Sequence, residues 1–192
     1  MDPIVTQAMA KWPAVPSVFG WLSLDRRGNW LIKGDRIANA GVKAFIGRNY
    51  GADERGRWFF QNGPQRVFVT LEYTPFVLNT ADDDSAALGT HIGQAIGKLS
   101  GAWIDETGSL LLRWGTELGV LNDRDLARVS DLFTDLHGKA MTDTLLARAF
   151  DPETRRHATG VYIAHAGSRV PVGRIQSGEV AQKFGFDPHP RP

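Results

Sequence analysis

The polar residues best suited to bind a ligand lie between two apolar runs, in the stretch Gln61-Asn62-Gly63-Pro64-Gln65-Arg66. Amide side chains donate and accept hydrogen bonds, and a guanidinium group pairs with carboxylates through two parallel bonds. Gln61, Asn62, Gln65 and Arg66 could therefore bind a carboxylate or a peptide backbone. The same stretch contains Asn-Gly, a strong signal for a tight β-hairpin turn. A ligand site and a plain turn are both consistent with it.

The chain has six tryptophans, which is many for its length. Trp30 and Trp58 fall in predicted core strands, where packing is the ordinary role of an indole ring. Trp12, Trp21 and Trp114 stand beside Pro, Gly or Arg and could line a groove. We take Trp21 and Trp114 as further candidates for ligand contact.

The sequence contains no local motif for metal or nucleophilic catalysis. Cysteine is absent, which excludes disulfides, thiolate metal sites and cysteine nucleophiles. The histidines are scattered, without the close pair of a local metal site, at positions His91, His137, His157, His165 and His189. No Gly-x-Ser-x-Gly nucleophile elbow occurs. We therefore expect no bound metal or cofactor.

One stretch, Gly93–Ser100, resembles a phosphate-binding loop but departs from its pattern. Three residues instead of four separate the glycines before Lys98, and Leu99 follows the lysine where Ser or Thr is required. An enzyme would need a composite site from distant residues, for instance His91 or His165 with Asp53 or Asp105.

Three related stretches give the chain its internal order: Asp25–Gly34, Asp53–Gly63 and Asp105–Gly115. Each has Asp-x-x-Gly, an apolar run and a second Gly, which predicts a turn, a strand and another turn. The copies are spaced by 28 and 52 residues, so two unequal halves fit better than a regular solenoid. We interpret the Asp residues as turn formers, since no copy continues as a calcium loop.

The remaining elements follow from apolar periodicity. Helices are predicted over residues 2–11, 37–50, 122–138 and 142–150. Strands are predicted over residues 18–24, 66–72 and 91–103, with a hairpin over 160–175. Pro171 suggests that its strand lies at a sheet edge. The last residues, 186–192, are expected to form a mobile extended tail.

These elements predict an α+β fold with antiparallel β-sheets in two related halves and helices packed against them. Residues 1–80 form the first half and residues 90–192 the second. Residues 81–89, with Asp82, Asp83 and Asp84 among small residues, are the predicted linker or long hairpin loop.

Composition is that of an ordinary soluble domain, with 42% hydrophobic and 22% charged residues. A net charge of +1 argues against broad electrostatic binding to nucleic acid or to an anionic membrane. No apolar run approaches the ~20 residues that span a bilayer, and the start lacks a secretory signal. We expect a cytoplasmic protein.

Several stretches resemble a known family: Trp12-Pro13, Gly20-Trp21-Leu22, Gly28-Asn29-Trp30 and above all the stretch from Trp58 to Val67. Over about residues 1–125 the chain resembles an uncharacterised conserved protein family of proteobacteria. It is more distantly similar to a second proteobacterial family of unknown function. That family has two repeated α+β halves and a suggested role in signalling. The resemblance implies two halves and transfers no site residue.

Three functional hypotheses remain open. The first is a non-enzymatic binding or regulatory module that uses a groove or a sheet edge to bind an unknown ligand or protein partner. The second is the small-molecule enzyme with a composite His/Asp site. The third is a homo-oligomer, possible as a homodimer, with the Pro171 strand or apolar faces at its interface.

Overall fold

The computed structural model describes residues 1–12, 15–81, 87–151 and 158–192, with only the backbone of Ala158. These residues do not include most of the predicted linker, with Asp82–Asp84, or His157. By its contacts the chain divides into two units. The first unit holds residues 1–75 and 181–192, and the second holds residues 76–180. The C-terminal residues thus belong to the first unit, and the boundary after Pro75 precedes the predicted linker.

The first unit is a six-stranded sheet with the helices α1 (Pro3–Lys11) and α2 (Ala40–Arg48), and it also holds most of a short C-terminal helix that begins at Val180. Its strands are β1 (Val18–Leu24), β2 (Trp30–Ile32), β3 (Asp35–Arg36), β4 (Tyr50–Ala52), β5 (Trp58–Asn62) and β6 (Gln65–Leu71). They are ordered β3-β2-β1-β6-β5-β4. All neighbours are antiparallel except the central pair β1 and β6, which is parallel.

The second unit is an eight-stranded sheet ordered β12-β13-β14-β9-β10-β11-β7-β8. Its strands are β7 (Phe76–Thr80), β8 (Leu88–Thr90), β9 (Leu99–Ile104), β10 (Leu110–Trp114), β11 (Glu117–Leu121), β12 (Phe133–Thr134), β13 (Ala158–His165) and β14 (Ser168–Arg174). Helix α3 (Asp143–Phe150) lies between β12 and β13 in the chain, and α4 (Val180–Phe184) follows the sheet. The pairs β7–β11 and β9–β14 are parallel.

The two sheets repeat one topology. The order β3-β2-β1-β6-β5-β4 corresponds strand for strand to β11-β10-β9-β14-β13-β12, including the parallel pair at its centre. Only β7 and β8, at the outer edge beyond β11, have no counterpart in the first unit. The predicted α+β fold with two related halves is confirmed. The sheets are mixed because separate hairpins place their inner strands side by side in the same direction.

Paired residues fix which positions correspond. The pair Leu22–Ile32 in β1 and β2 matches Ala102–Leu112 in β9 and β10. The pair Asn62–Gln65, at the end of the β5–β6 hairpin, matches His165–Ser168 at the end of the β13–β14 hairpin.

The turns provide a second sign of duplication, because four of them share one hydrogen-bond pattern. They begin at Asp25, Asp53, Asp105 and Asp135. In each, the Asp side chain accepts from the backbone N–H groups two and four residues on, and a Gly three residues on donates to the Asp carbonyl oxygen. The prediction of turn-forming Asp is confirmed for the three copies. The second half also contains a fourth turn of this kind, at Asp135.

These turns make stability sensitive to acid. Hydrogen bonds from the Lys139 and His137 backbone lower the pKa of Asp135. Burial raises the pKa of Asp53, but hydrogen bonds from Arg57 and Arg55 outweigh it and the net shift is downward. A carboxylate with a lowered pKa in the folded state stabilises the fold above its unfolded pKa of about 4. That stability is lost as pH falls through the lower folded value.

We therefore expect the melting temperature to fall steadily below about pH 4. Replacing Asp53 and Asp135 together with Asn keeps an oxygen acceptor in each turn but removes the titrating charge. Thermal melts from pH 7 to pH 2 should show a shallower acid loss in this double variant. Equal acid slopes in the two proteins would contradict the assignment.

Several predicted elements differ in the structure. Residues 122–138 do not form one helix: 3-10 turns at Asp123–Asp125 and Ala127–Leu132 are followed by β12. The Asp135 turn interrupts the pattern, and its Leu136 is exposed. The strand predicted from His91 starts only at Leu99, because Gly93 adopts positive φ in a turn.

The strand with Pro171 is β14, which lies inside the sheet between β13 and β9 and not at an edge. Its parallel ladder with β9 covers Val172–Arg174. Pro171 therefore removes no donor from that ladder. The prediction that the Pro171 strand lies at a sheet edge was wrong. The C-terminal residues are also not a free tail, since Leu71 donates to the Pro188 carbonyl oxygen at 2.9 Å and Phe186 is buried.

Aromatic rings form much of the core of the first unit. Tyr50 packs edge-on against Trp30, with ring centroids 5.1 Å apart, and against Trp58 at 4.8 Å. Trp30 and Trp58 are buried, which confirms the predicted packing role. The second unit has an aliphatic core instead, in which Leu112, Val129 and Ile163 are buried together.

Candidate functional site

The first unit has an open groove of about 470 Å³ between helix α2 and the sheet. Its walls are mostly apolar, and its lining includes Trp21, Ile32, Val42, Phe45, Asn62 and Gln65. This volume falls in the range of sites that hold small ligands or side chains of a partner. The groove is the candidate functional site.

Each wall of the groove is fixed by local sequence. On the sheet side, Gly20 adopts positive φ where the β1–β6 register shifts, a bulge that only a residue without a side chain forms easily. This bulge sets the direction of the neighbouring Trp21. On the helix side, the Asn39 side chain accepts from the Val42 N–H at 3.0 Å and starts α2. Phe45 then packs edge-on against Phe60 of β5.

Three groove residues leave much of a large apolar side chain in water. Trp21 is 52% exposed, Ile32 46% and Val42 43%. The Lys33 ammonium lies over the Trp21 ring, 4.0 Å from its centroid. Neighbouring exposed apolar side chains around a concavity are typical of a binding surface.

Trp21, Asn62 and Gln65, all predicted from the sequence, meet at this groove. Gln65 donates to the Pro16 carbonyl oxygen at 3.1 Å, which ties the chain before β1 to the hairpin. Asn62 is exposed at the end of β5. The hairpin predicted from Asn-Gly is present, with Gly63 at positive φ between β5 and β6.

Gln61 and Arg66 do not line the groove. They pair with each other across the hairpin, and successive strand residues point to opposite faces, so they lie on the face away from Asn62 and Gln65. Gln61 is 1% exposed and donates to the Gly63 carbonyl oxygen at 2.9 Å. Arg66 stacks on Phe59 and borders a smaller hollow with Asp53. The interpretation of all four as one cluster overlooked this alternation.

Trp114, the remaining candidate, belongs to the second unit. It packs against Phe76 with ring centroids 5.6 Å apart and borders the apolar core there. It is not among the residues that line the groove.

Sequence reasoning missed Ile32, Val42 and Phe45 as groove residues. Val42 and Phe45 belong to the apolar stripe of α2, and Ile32 to the apolar run of β2, so both patterns indicated core positions. Apolar residues of a strand and a helix line a binding site only when no other part of the chain covers them. Apolar periodicity does not show whether they are covered.

The residues suggested for acid–base chemistry have structural partners. Asp105 is buried and accepts from the Thr107 and Ser109 N–H groups. The His91 ring accepts from the Val77 N–H at 3.3 Å, and His165 lies 3.4 Å from the Ile96 carbonyl oxygen. Within the described ranges, no three His, Asp or Glu side chains are placed to hold a metal ion.

The fold and the groove define a duplicated α+β protein with a ligand-sized concavity in its first half. The chain belongs to the family DUF2944, described as "Protein of unknown function (DUF2946)", whose model matches residues 1–191. The match confirms the resemblance to a family of unknown function and extends it beyond residue 125. A comparison with curated proteins gives no match.

One solved structure supports the fold over nearly the whole chain. The chain is similar to a DUF1285 family protein from Silicibacter pomeroyi DSS-3, with 16% identity over 94% of this chain and 98% of that one, and a TM-score of 0.51. It also matches a DUF1285 family protein from Shewanella baltica OS155, with 17% identity over 56% and 87% of the two chains and a TM-score of 0.36. In the part of the chain that the structure describes, no helix is long and apolar enough to cross a membrane.

Proposed function

We propose that this protein is a non-enzymatic, cytoplasmic binding module whose ligand site is the groove of the first unit. The observation that carries the proposal is the exposure of Trp21, Ile32 and Val42 around one concavity. An isolated exposed apolar residue is common, but three around a hollow of about 470 Å³ are not the ordinary surface of a monomer. A ligand would gain stability by burying these side chains.

The corresponding positions of the second unit strengthen this proposal. Ile32 is 46% exposed, whereas Leu112, at the same place in the other sheet, is 0% exposed and part of the core. The second unit therefore fills this position with its own side chains, whereas the first unit leaves it open. The polar groups Asn62 and Gln65 at the rim would orient what enters.

A negative charge placed in the groove is expected to weaken binding of an anionic probe with a large apolar ring system. Val42 is the third residue of α2, where Glu is favourable for the helix, so Val42→Glu should leave the fold intact. Titration with anilinonaphthalene sulfonate, followed by its fluorescence, should show at least about tenfold weaker binding in this variant.

Leu145→Glu is the matched control. Leu145 is likewise the third residue of a capped helix, α3, and at 48% its exposure is close to that of Val42. Its side chain is outside the groove, so this variant should bind the probe as the natural protein does. Equal losses in both variants, or none in either, would remove the groove as the binding site.

A further inference from the structure

One outer strand of the first sheet is β3, and the corresponding strand of the second sheet is paired with a further strand. The pairs Ile32–Asp35 and Leu31–Arg36 of β2 and β3 match Leu112–Gly119 and Leu111–Val120 of β10 and β11. Strand β3 is thus the counterpart of β11, and their free edges can be compared directly.

In the second unit, β7 covers this edge. It runs parallel to β11, with Phe76 beside Gly119, Val77 beside Val120 and Leu78 beside Leu121. The Leu78 side chain lies over Gly119, where an added Cβ would come within 2.9 Å of Leu78 Cγ. Leu78 and Leu112 are both buried in the same core cluster. An extended segment thus completes the sheet and helps to fill the core beside it.

In the first unit the same edge has no pairing strand among the described residues. Asp35 and Arg36 are exposed. Ile37 donates to the Trp30 carbonyl oxygen, so the backbone N–H and C=O of the preceding Arg36 point away from β2, to the outer edge. These groups are a ready template for a further strand.

The hairpin end offers a second parallel between the units. In the second unit, Leu99 donates its N–H to Ser168 Oγ at 2.7 Å, and the His165 ring lies 3.4 Å from the Ile96 carbonyl oxygen. These two residues correspond to Gln65 and Asn62. Gln65 likewise holds backbone through its bond to the Pro16 carbonyl oxygen, and both Gln65 and Asn62 also border the open groove.

We propose that the first unit binds an extended segment of a partner protein, added as a strand parallel to β3, with the aliphatic part of one side chain in the groove. The proposal rests on the groove being the binding site and names its occupant. Backbone bonds to Arg36 supply affinity, and the groove supplies selectivity for side chains. Asp35 stands where Gly119 stands in the second unit, so the partner residue above it should be basic where β7 has Leu78.

The test uses labelled synthetic peptides and fluorescence anisotropy. One peptide has the sequence of residues 75–81, and the other carries the change Leu78→Lys to face Asp35. Both should bind the intact protein with saturation below about 1 mM, the lysine form more tightly. Arg36→Pro removes one outward N–H and no bond to β2, so it should weaken binding at least tenfold. Arg36→Ala keeps that N–H and should weaken it less than threefold.

Val42→Glu provides a second variant in case Arg36→Pro disturbs the fold, which circular dichroism would reveal. It should weaken peptide binding as strongly. Absence of peptide binding, with probe binding to the groove retained, would overturn strand addition and leave a small-molecule site. Sedimentation that shows a dimer dissociated by Arg36→Pro would assign the edge to a second copy and overturn the foreign partner. Equal effects of proline and alanine would overturn the role of the backbone.

Discussion

Replacing Gly56 with alanine is expected to destabilise the first unit by roughly 3 kcal/mol and to release its C-terminal segment. Gly56 has φ +72° in the Asp53 turn, a conformation that costs a residue with a side chain about 1–2 kcal/mol. An added Cβ would also lie 2.2 Å from the Gly185 carbonyl oxygen. Backbone cannot rotate away from such a contact as a side chain can, so the segment must move.

The segment at risk is held by few bonds. Asp187 donates to the Gly56 carbonyl oxygen at 3.0 Å, and Leu71 donates to the Pro188 carbonyl oxygen at 2.9 Å. Phe186, the residue before Asp187, is buried. Displacing this backbone would therefore expose an aromatic side chain as well as break the bonds.

Gly108→Ala separates the turn conformation from the collision. Gly108 occupies the same place in the Asp105 turn, with φ +83°, but an added Cβ would meet no atom within 4 Å. This variant should lose only about 1–2 kcal/mol. Urea unfolding would compare the two, and limited proteolysis would report release of residues 185–192. Equal losses, with the C-terminus equally protected, would show that the close approach to Gly185 has no cost.

The turns could be predicted from the sequence because their cause is local. Asp accepts hydrogen bonds within five residues and Gly supplies the positive φ, so each motif folds the same way wherever it occurs. The fourth turn escaped notice because no large apolar run follows Gly138, only Lys139, Ala140 and Met141. The apolar strand that follows the other three turns is not needed for these hydrogen bonds, which depend only on the turn itself.

The groove could not be predicted, because its cause is not local. The candidates Trp21, Asn62 and Gln65 were found by residue type, and they meet only because β1 and β6 pair in parallel. Gln61 and Arg66 lie on the opposite face of the hairpin because successive strand residues alternate between faces. The hairpin register decides which residues share a face. Whether an apolar residue becomes core or site depends on what the rest of the chain places over it.

The two halves illustrate this dependence. Both present an apolar sheet face, but only the second adds β7 and β8 at its outer edge and a helix between β12 and β13. These added segments accompany a buried core in the second unit. The first unit keeps the shared topology without them, and its apolar face remains partly open. When one copy of a duplicated fold lacks the segments that cover the apolar face in the other copy, that face is left open and can bind a ligand.

Because the second unit is closed at this position and the first is open, substitutions at corresponding residues should differ strongly in the stability that they cost. Leu112→Ala should cost about 2–5 kcal/mol, because Leu112 is fully buried and truncation leaves a cavity in a packed core. Ile32→Ala, at the same place in the first sheet, should cost less than about 1 kcal/mol, since nearly half of its side chain is already in water. Urea unfolding of the two variants measures both losses.

A bound ligand should reduce the difference in stability loss between the Ile32→Ala and Leu112→Ala variants. If the groove is the binding site, saturating probe buries Ile32 and stabilises the folded protein by mass action. The Ile32→Ala variant should then gain less stability from the probe than the natural protein, whereas Leu112→Ala should gain the same amount. A large loss for Ile32→Ala without any ligand would mean that the groove is already closed by the chain itself. Ile32 would then be a core residue, and the groove would not be a binding surface.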